Sequence, residues 1–202
     1  MSFGFAGAHR TGKTTLAKQV AEDMGYHFHD ASVSKIMRAH GINAVGDIPL
    51  GERIAAQEFL LDKFLENLKS APRPMITDRT PLDMIGYMLG EVTMHNTDIE
   101  LGKRINAYAI KCLEATVNHF DTVIIVRPLK LYVVDPKSPP PNAAFQALVQ
   151  FIIEGAARQV DDIIFVHTLT GSDFQLRRDH SQLIFHERME QLGEESKAVA
   201  LN

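Results

Sequence analysis

The chain holds a single cysteine, Cys112. No intrachain disulfide can form, which suits a reducing, cytoplasmic setting. No run of about 18 apolar residues is present, so no segment reads as a membrane-spanning helix and no membrane partner is expected. A basic excess is missing too: Lys and Arg number 21 against 25 Asp and Glu, a net charge of −4. That balance argues against tight non-specific nucleic-acid binding, though it leaves room for a local basic groove. The amino terminus runs straight into an apolar strand pattern, with none of the regions of a signal peptide. Internal repeats and low-complexity tracts are absent. What remains is ordinary for a globular protein: 202 residues, 45% hydrophobic and 23% charged, enough for one sizeable domain with its own core.

Against that background one local pattern stands out. Residues Gly7-Ala8-His9-Arg10-Thr11-Gly12-Lys13-Thr14 fit G-x-x-x-x-G-K-[S/T] at every fixed position, and Thr15 follows. The motif carries meaning only between a strand and a helix, and that is its place here. Ser2 to Ala6 is a strand pattern, and Leu16, Val20 and Met24 recur at helical spacing over Lys13 to Met24. The glycines let the backbone curl around a phosphate, and the loop and helix N–H groups then face its charge. Lys13 would reach the terminal phosphates of ATP, and the Thr14 hydroxyl would ligate Mg²⁺. His9, at a variable position, is placed for contact with the nucleotide rather than for chemistry.

Further strand patterns lie at Tyr26 to Asp30, Met75 to Thr77, Thr122 to Val126 and Asp162 to Val166, alternating with helical patterns. The helices are expected at Val33 to Ala39, Glu52 to Leu68, Thr80-Pro81 to about Leu89, Thr97-Asp98 to about Asn118, Ala143 to Gln159 and about Asp173 to Leu192, with a frayed tail from Gly193. Thr80 reads as an N-cap before Pro81 at the first helical position. This alternation predicts a three-layer α/β P-loop NTPase fold, with a mostly parallel five-stranded sheet flanked by helices. The proline-rich stretch at about 129–142 has little periodicity and reads as a lid within a single domain spanning 1–202.

Asp78-Arg79-Thr80-Pro81 sits where the third strand meets a helix. Ligands of parallel sheets bind outside the carboxyl ends of the strands, so Asp78 and Arg79 should project toward the phosphates beside the glycine-rich loop. An aspartate there can hold Mg²⁺ or accept a proton from an attacking hydroxyl. An arginine there can steady the transferring phosphoryl group. Asp83 lies one helical turn beyond Thr80 and also suits the helix dipole. Asp30 ends the second strand at the same rim. His27 and His29 share one face of that strand without an evident third metal ligand, and a solvated face is expected. Arg177-Arg178 on the last helix reads as solvated, with adenine contact as the alternative.

Gly7 to Thr15 together with Asp78-Arg79-Thr80-Pro81-Leu82-Asp83 resembles the P-loop nucleoside and nucleotide kinases, which include thymidylate kinases, deoxynucleoside kinases and nicotinamide riboside kinase-like proteins. The wording of the two motifs is most similar to a small AAA-type kinase family common in phages, itself similar to the kinases of 5-hydroxymethyluracil in DNA. The resemblance implies that Asp78 and Arg79 bind the acceptor and assist transfer, and that Lys13 acts on the phosphates. In riboside kinases an aspartate near Asp30 is the general base, so Asp30 and Asp78 compete for that role, and Asp78 shares the metal with Thr14 in the other case. An arginine-rich lid is expected from the resemblance but not found: the segment offers Lys130 and Lys137, and Arg127 and Arg158 are the substitutes.

The expected activity is therefore transfer of the γ-phosphoryl group of ATP to a nucleoside, a nucleotide or a hydroxymethylated DNA base. The acceptor pocket would use residues 30–60 and Asp78 to Tyr87, with Phe59 and Tyr87 as stacking surfaces. A homodimer is compatible with the sequence, and a phage origin would place the protein in the host cytoplasm. A P-loop hydrolase or a regulatory nucleotide-binding protein is the alternative class. A GTPase is excluded by the lack of an Asn/Thr-Lys-x-Asp guanine motif, and a ring ATPase fits poorly because Arg, not Glu, follows Asp78.

Overall fold

The structure is a computed structural model that describes residues 1–31, 33–41, 49–92, 95–130 and 142–200, with side chains described up to 194 and omitted at 34. Five strands form one sheet: β1 (Ser2–Ala6), β2 (His27–His29), β3 (Met75–Thr77), β4 (Thr122–Val126) and β5 (Phe165–Leu169). Their spatial order is β2-β3-β1-β4-β5, and every pairing is parallel. The helices are α1 (Lys13–Met24), α2 (Val33–Ala39), α3 (Leu50–Ser70), α4 (Pro81–Val92), α5 (Ile99–His119), α6 (Ala143–Ala157) and α7 (Phe174–Ala200). This is the expected three-layer P-loop NTPase fold.

Period-two alternation along the strands sorts the core into two layers. Phe3, Phe5, Ile124 and Val126 face α1 and α7, where they meet Leu16, Val20, Ile184 and Phe185. The Phe3 and Phe185 rings stack with centroids 4.4 Å apart. Ala6, Met75, Val123 and Ile125 face the other way, against α3, α4, α5 and α6. Side chains of this size contribute roughly 1.5–3 kcal/mol each on full burial.

Within the second layer α4 and α6 approach closely. A Cβ at Gly86 would lie 2.5 Å from Ile153 Cγ1, a distance real atoms do not adopt. The small residue therefore sets the spacing of the two helices, and that spacing carries the inner face of α6 to the glycine-rich loop.

Several boundaries differ from expectation. The last strand occupies Phe165–Leu169 rather than Asp162 to Val166. The apolar Ile163-Ile164 pair belongs instead to turns that continue α6, with both N–H groups donating to the Val160 carbonyl. Polar His167 and Thr168 conceal the true strand in the sequence. The tail is helical as far as Ala200 rather than frayed from Gly193. Of the expected lid, residues 131–141, Lys137 among them, lie outside the described residues.

Candidate active site

The carboxyl ends of the strands bring the candidate residues to one rim of the sheet. Gly7 follows β1, Asp78 follows β3, Asp30 follows β2 and Arg127 follows β4. The register pairs His29 with Thr77, so Asp30 and Asp78 each follow the end of one of two adjacent strands.

The loop from Gly7 to Gly12 is shaped by unusual backbone angles. Gly7 has φ 145°, and a Cβ there would strike the Val126 carbonyl oxygen. Arg10 is the one described non-glycine residue with positive φ, at 59°, a conformation that costs a larger residue energy and recurs at functional loops. Gly12 caps α1 without a side chain, and no acidic residue occupies the helix's first turn. No side chain caps the first N–H groups of α1, and the helix dipole favours an anion there.

Lys13 is buried, and its Nζ donates to the carbonyls of Gly7 at 2.5 Å and Ala8 at 2.7 Å. Burial draws its pKa down to about 8, and the nearby Arg79 guanidinium pushes the same way; Asp83 and Asp78 oppose the shift. The Thr14 hydroxyl donates to Asp78 Oδ2 at 2.5 Å, which ties the loop helix to the acid–arginine pair. The Arg79 guanidinium lies 5.4 Å from the Tyr87 ring centroid, within cation–π range. Burial raises the Tyr87 phenol to about 12. The His9 ring sits between Tyr87 and Phe145, with centroids 6.4 and 6.2 Å away, and burial lowers its pKa.

Asp83 proves more deeply engaged than a helix-dipole aspartate. It is 0% exposed. One carboxylate oxygen accepts from the Gly7 N–H at 3.1 Å, and the other accepts from the Thr80 N–H at 2.8 Å and the Thr80 hydroxyl at 3.0 Å. Lys13 Nζ lies 3.6 Å from the first oxygen. The expected N-cap is therefore reversed in part: the Thr80 hydroxyl donates to Asp83, and Asp83 reaches back to the Thr80 backbone, the acidic half of a capping box.

Two helices hold the loop from outside. On α6, Gln146 Nε2 donates to the His9 carbonyl at 2.6 Å, and Gln150 Oε1 accepts from the Ala8 N–H at 3.0 Å. Gln150 Nε2 donates in turn to Glu154, which binds Arg127 bidentately at 2.7 and 2.9 Å. On α7, Arg177 is buried and donates to the Thr11 carbonyl at 2.9 Å, so it is not solvated as expected. Arg178 does lie at the surface, bound to Asp23 at 2.5 Å. Gln146 and Gln150 join the site without belonging to any motif in the sequence. Their signal was available in part, because polar residues four apart on the inner face of an apolar helix demand buried partners.

Asp30 is exposed and pairs with Lys35 at 2.8 Å. His27 is exposed, whereas His29 is half-buried against Phe64 and its Nε2 has no hydrogen-bond partner among the described residues, so the histidine face is solvated only in part. Among the described residues no group of three His, Cys, Asp or Glu could hold a metal ion. Phe59 packs edge-on against His40 at 4.7 Å. Arg158, at the far end of α6, is exposed and pairs with Asp161. No described helix is long and apolar enough to cross a membrane.

A glycine-rich loop closed by a buried lysine, set between the first strand of a parallel sheet and its helix, is the arrangement of the P-loop NTPase fold. The chain belongs to the AAA domain family, whose model matches residues 3–155. Among solved structures it is similar to the deoxyadenosine kinase from M. mycoides with bound dCTP (16% identity, TM-score 0.66, covering 93% of this chain and 100% of that one). It is similar also to the thymidylate kinase from Candida albicans (14%, 0.56, 93% and 92%) and to the NadR protein in complex with NR (15%, 0.62, 93% and 51%). Likeness at such low identity shows the fold. Comparison with curated proteins gives no match.

Proposed function

We propose that this protein is an ATP-dependent phosphotransferase that moves the γ-phosphoryl group to a nucleoside-like acceptor. The observation that carries the reading is the 2.5 Å hydrogen bond from Thr14 to Asp78, which joins the phosphate loop to an acid–arginine pair at the same rim. The similarity of the fold to nucleoside and nucleotide kinases supports it. In the proposed reaction Lys13 and the loop N–H groups grip the triphosphate, and Arg79 steadies the phosphoryl group in flight. The Thr14 hydroxyl and the Asp78 carboxylate are adjacent oxygen donors, which fit the hard-ligand preference of Mg²⁺. That ion, when bound, neutralises phosphate charge. With Asp78 so engaged, Asp30 on the neighbouring strand is the carboxylate assigned to take the acceptor's proton. Residues 129–142 serve as the lid of a single kinase domain.

An acceptor screen with γ-labelled ATP tests this. Its arms are nucleosides, nucleoside monophosphates, nicotinamide riboside, and DNA with and without 5-hydroxymethyluracil. The reading expects label in one class of acceptor, dependent on Lys13. Label appearing in water alone, whatever acceptor is offered, would replace the kinase by a hydrolase.

A further inference from the structure

Arg177 lies near the start of α7 and is only 5% exposed. Its Nε donates to the Gly171 carbonyl at 2.5 Å, one Nη to the Thr11 carbonyl at 2.9 Å and the other to the Arg127 carbonyl at 2.8 Å. The three acceptors come from three segments: the turn after β5, the phosphate loop and the end of β4. All are neutral backbone oxygens. Its neighbours are treated differently, since Arg178 pairs with Asp23 and Arg127 with Glu154. Among the described residues no carboxylate forms an ion pair with Arg177, and burial alone lowers its pKa below the ordinary arginine value. Arginine nevertheless stays charged in proteins.

A buried cation without a counter-ion is costly. Tying three carbonyls together does not by itself call for a full charge, because neutral amide donors can bind carbonyls, as Gln146 does at His9. The direction of the peptide supplies the reason. In a trans peptide the C=O and the N–H point opposite ways. The guanidinium on the Thr11 carbonyl therefore polarises the N–H on the other side of that peptide, which belongs to Gly12, the residue that opens α1.

We propose that Arg177 is a positioning residue of the phosphate site, whose fixed positive charge behind the loop is compensated by the polyphosphate bound in front of it. This rests on the reading that the loop takes a polyphosphate, and it adds a second buried cation to Lys13, drawn from the opposite end of the chain.

The test is calorimetric binding of inorganic tripolyphosphate to the full-length protein and to Arg177→Gln and Arg177→Lys. Gln keeps an amide donor for the carbonyls and removes the charge; Lys keeps the charge and loses the fork. For a charge roughly 10 Å from the phosphates at an effective dielectric of about 20, each phosphate charge alone accounts for about tenfold, so the loss in Arg177→Gln is at least about tenfold in affinity. Arg177→Lys stays within about threefold of the parent, whatever either variant does to the melting temperature. Equal affinity in Arg177→Gln and the parent overturns the inference while leaving the kinase reading intact. A parent protein that binds no tripolyphosphate removes both. Should Arg177→Gln not fold, Arg177→Lys decides alone: retained affinity supports the role of charge, and a tenfold loss refutes it.

Discussion

Asp83 ties the glycine-rich loop to the start of α4, so its replacement should be costly. Its carboxylate is fully buried and satisfies the Gly7 N–H, the Thr80 N–H and the Thr80 hydroxyl, with Lys13 Nζ at 3.6 Å. Asp83→Ala leaves two buried backbone donors unpaired, at about 1–3 kcal/mol each. It also strands a buried ammonium, and breaking one side of a buried pair costs about 3–5 kcal/mol. Lys13 keeps the Gly7 and Ala8 carbonyls, so we take the lower ends and expect a loss of about 4–5 kcal/mol. For a chain of this size each kcal/mol moves the melting temperature by roughly 2–4 °C, which gives a fall of about 10–15 °C. Asp83→Asn keeps one acceptor oxygen but turns an amide against a donor, and should cost about half as much. Urea denaturation of the three proteins, monitored by circular dichroism, measures this. An Asp83→Ala protein within 0.5 kcal/mol of the parent would show that the carboxylate does not hold the loop, and the reasoning from burial and satisfaction would fail.

Two further outcomes follow from packing and charge. Gly86→Val should drive α4 and α6 apart, since the space for its Cβ is already filled by Ile153; overpacking predicts about 1–3 kcal/mol of destabilisation in the same urea assay, and relief when Ile153→Ala is added. The folded pKa of Lys13, about 8, lies below its unfolded value of 10.5. Folding therefore disfavours the charged lysine, so this residue's contribution to stability rises as pH climbs from about 8 toward 10.5. Phosphate binding needs the charge, so ATP affinity measured by calorimetry should instead weaken about tenfold between pH 8 and pH 9.5, and Lys13→Arg should flatten that dependence.

Much of this was readable in the sequence because it is local. Gly7 to Thr14 needs only adjacent residues to be recognised, and β1, α1 and β4 announce themselves through apolar spacing. Asp78 reads as a rim residue because it follows a buried strand, and in the structure it does follow β3. The parts that escaped depend on contacts distant in the chain. Arg177 meets Thr11 across 166 residues, and nothing beside it separates it from its solvated neighbour Arg178. Gln150 reaches Ala8 across 142 residues. Asp83 looks like a helix-dipole aspartate until Gly7, on the neighbouring strand end, is seen to use its second oxygen. The strand at Phe165–Leu169 was misplaced because pairing with Thr122–Val126, rather than its own hydrophobicity, sets its ends.

If Thr14 and Asp78 together hold Mg²⁺ beside the triphosphate, as proposed, the metal's effect on binding needs the Asp78 carboxylate. Calorimetric titration of ATP into the parent and into Asp78→Asn, each with and without Mg²⁺, measures this. Mg²⁺ should tighten ATP binding to the parent and leave Asp78→Asn nearly unmoved. An equal gain from Mg²⁺ in both proteins would contradict it.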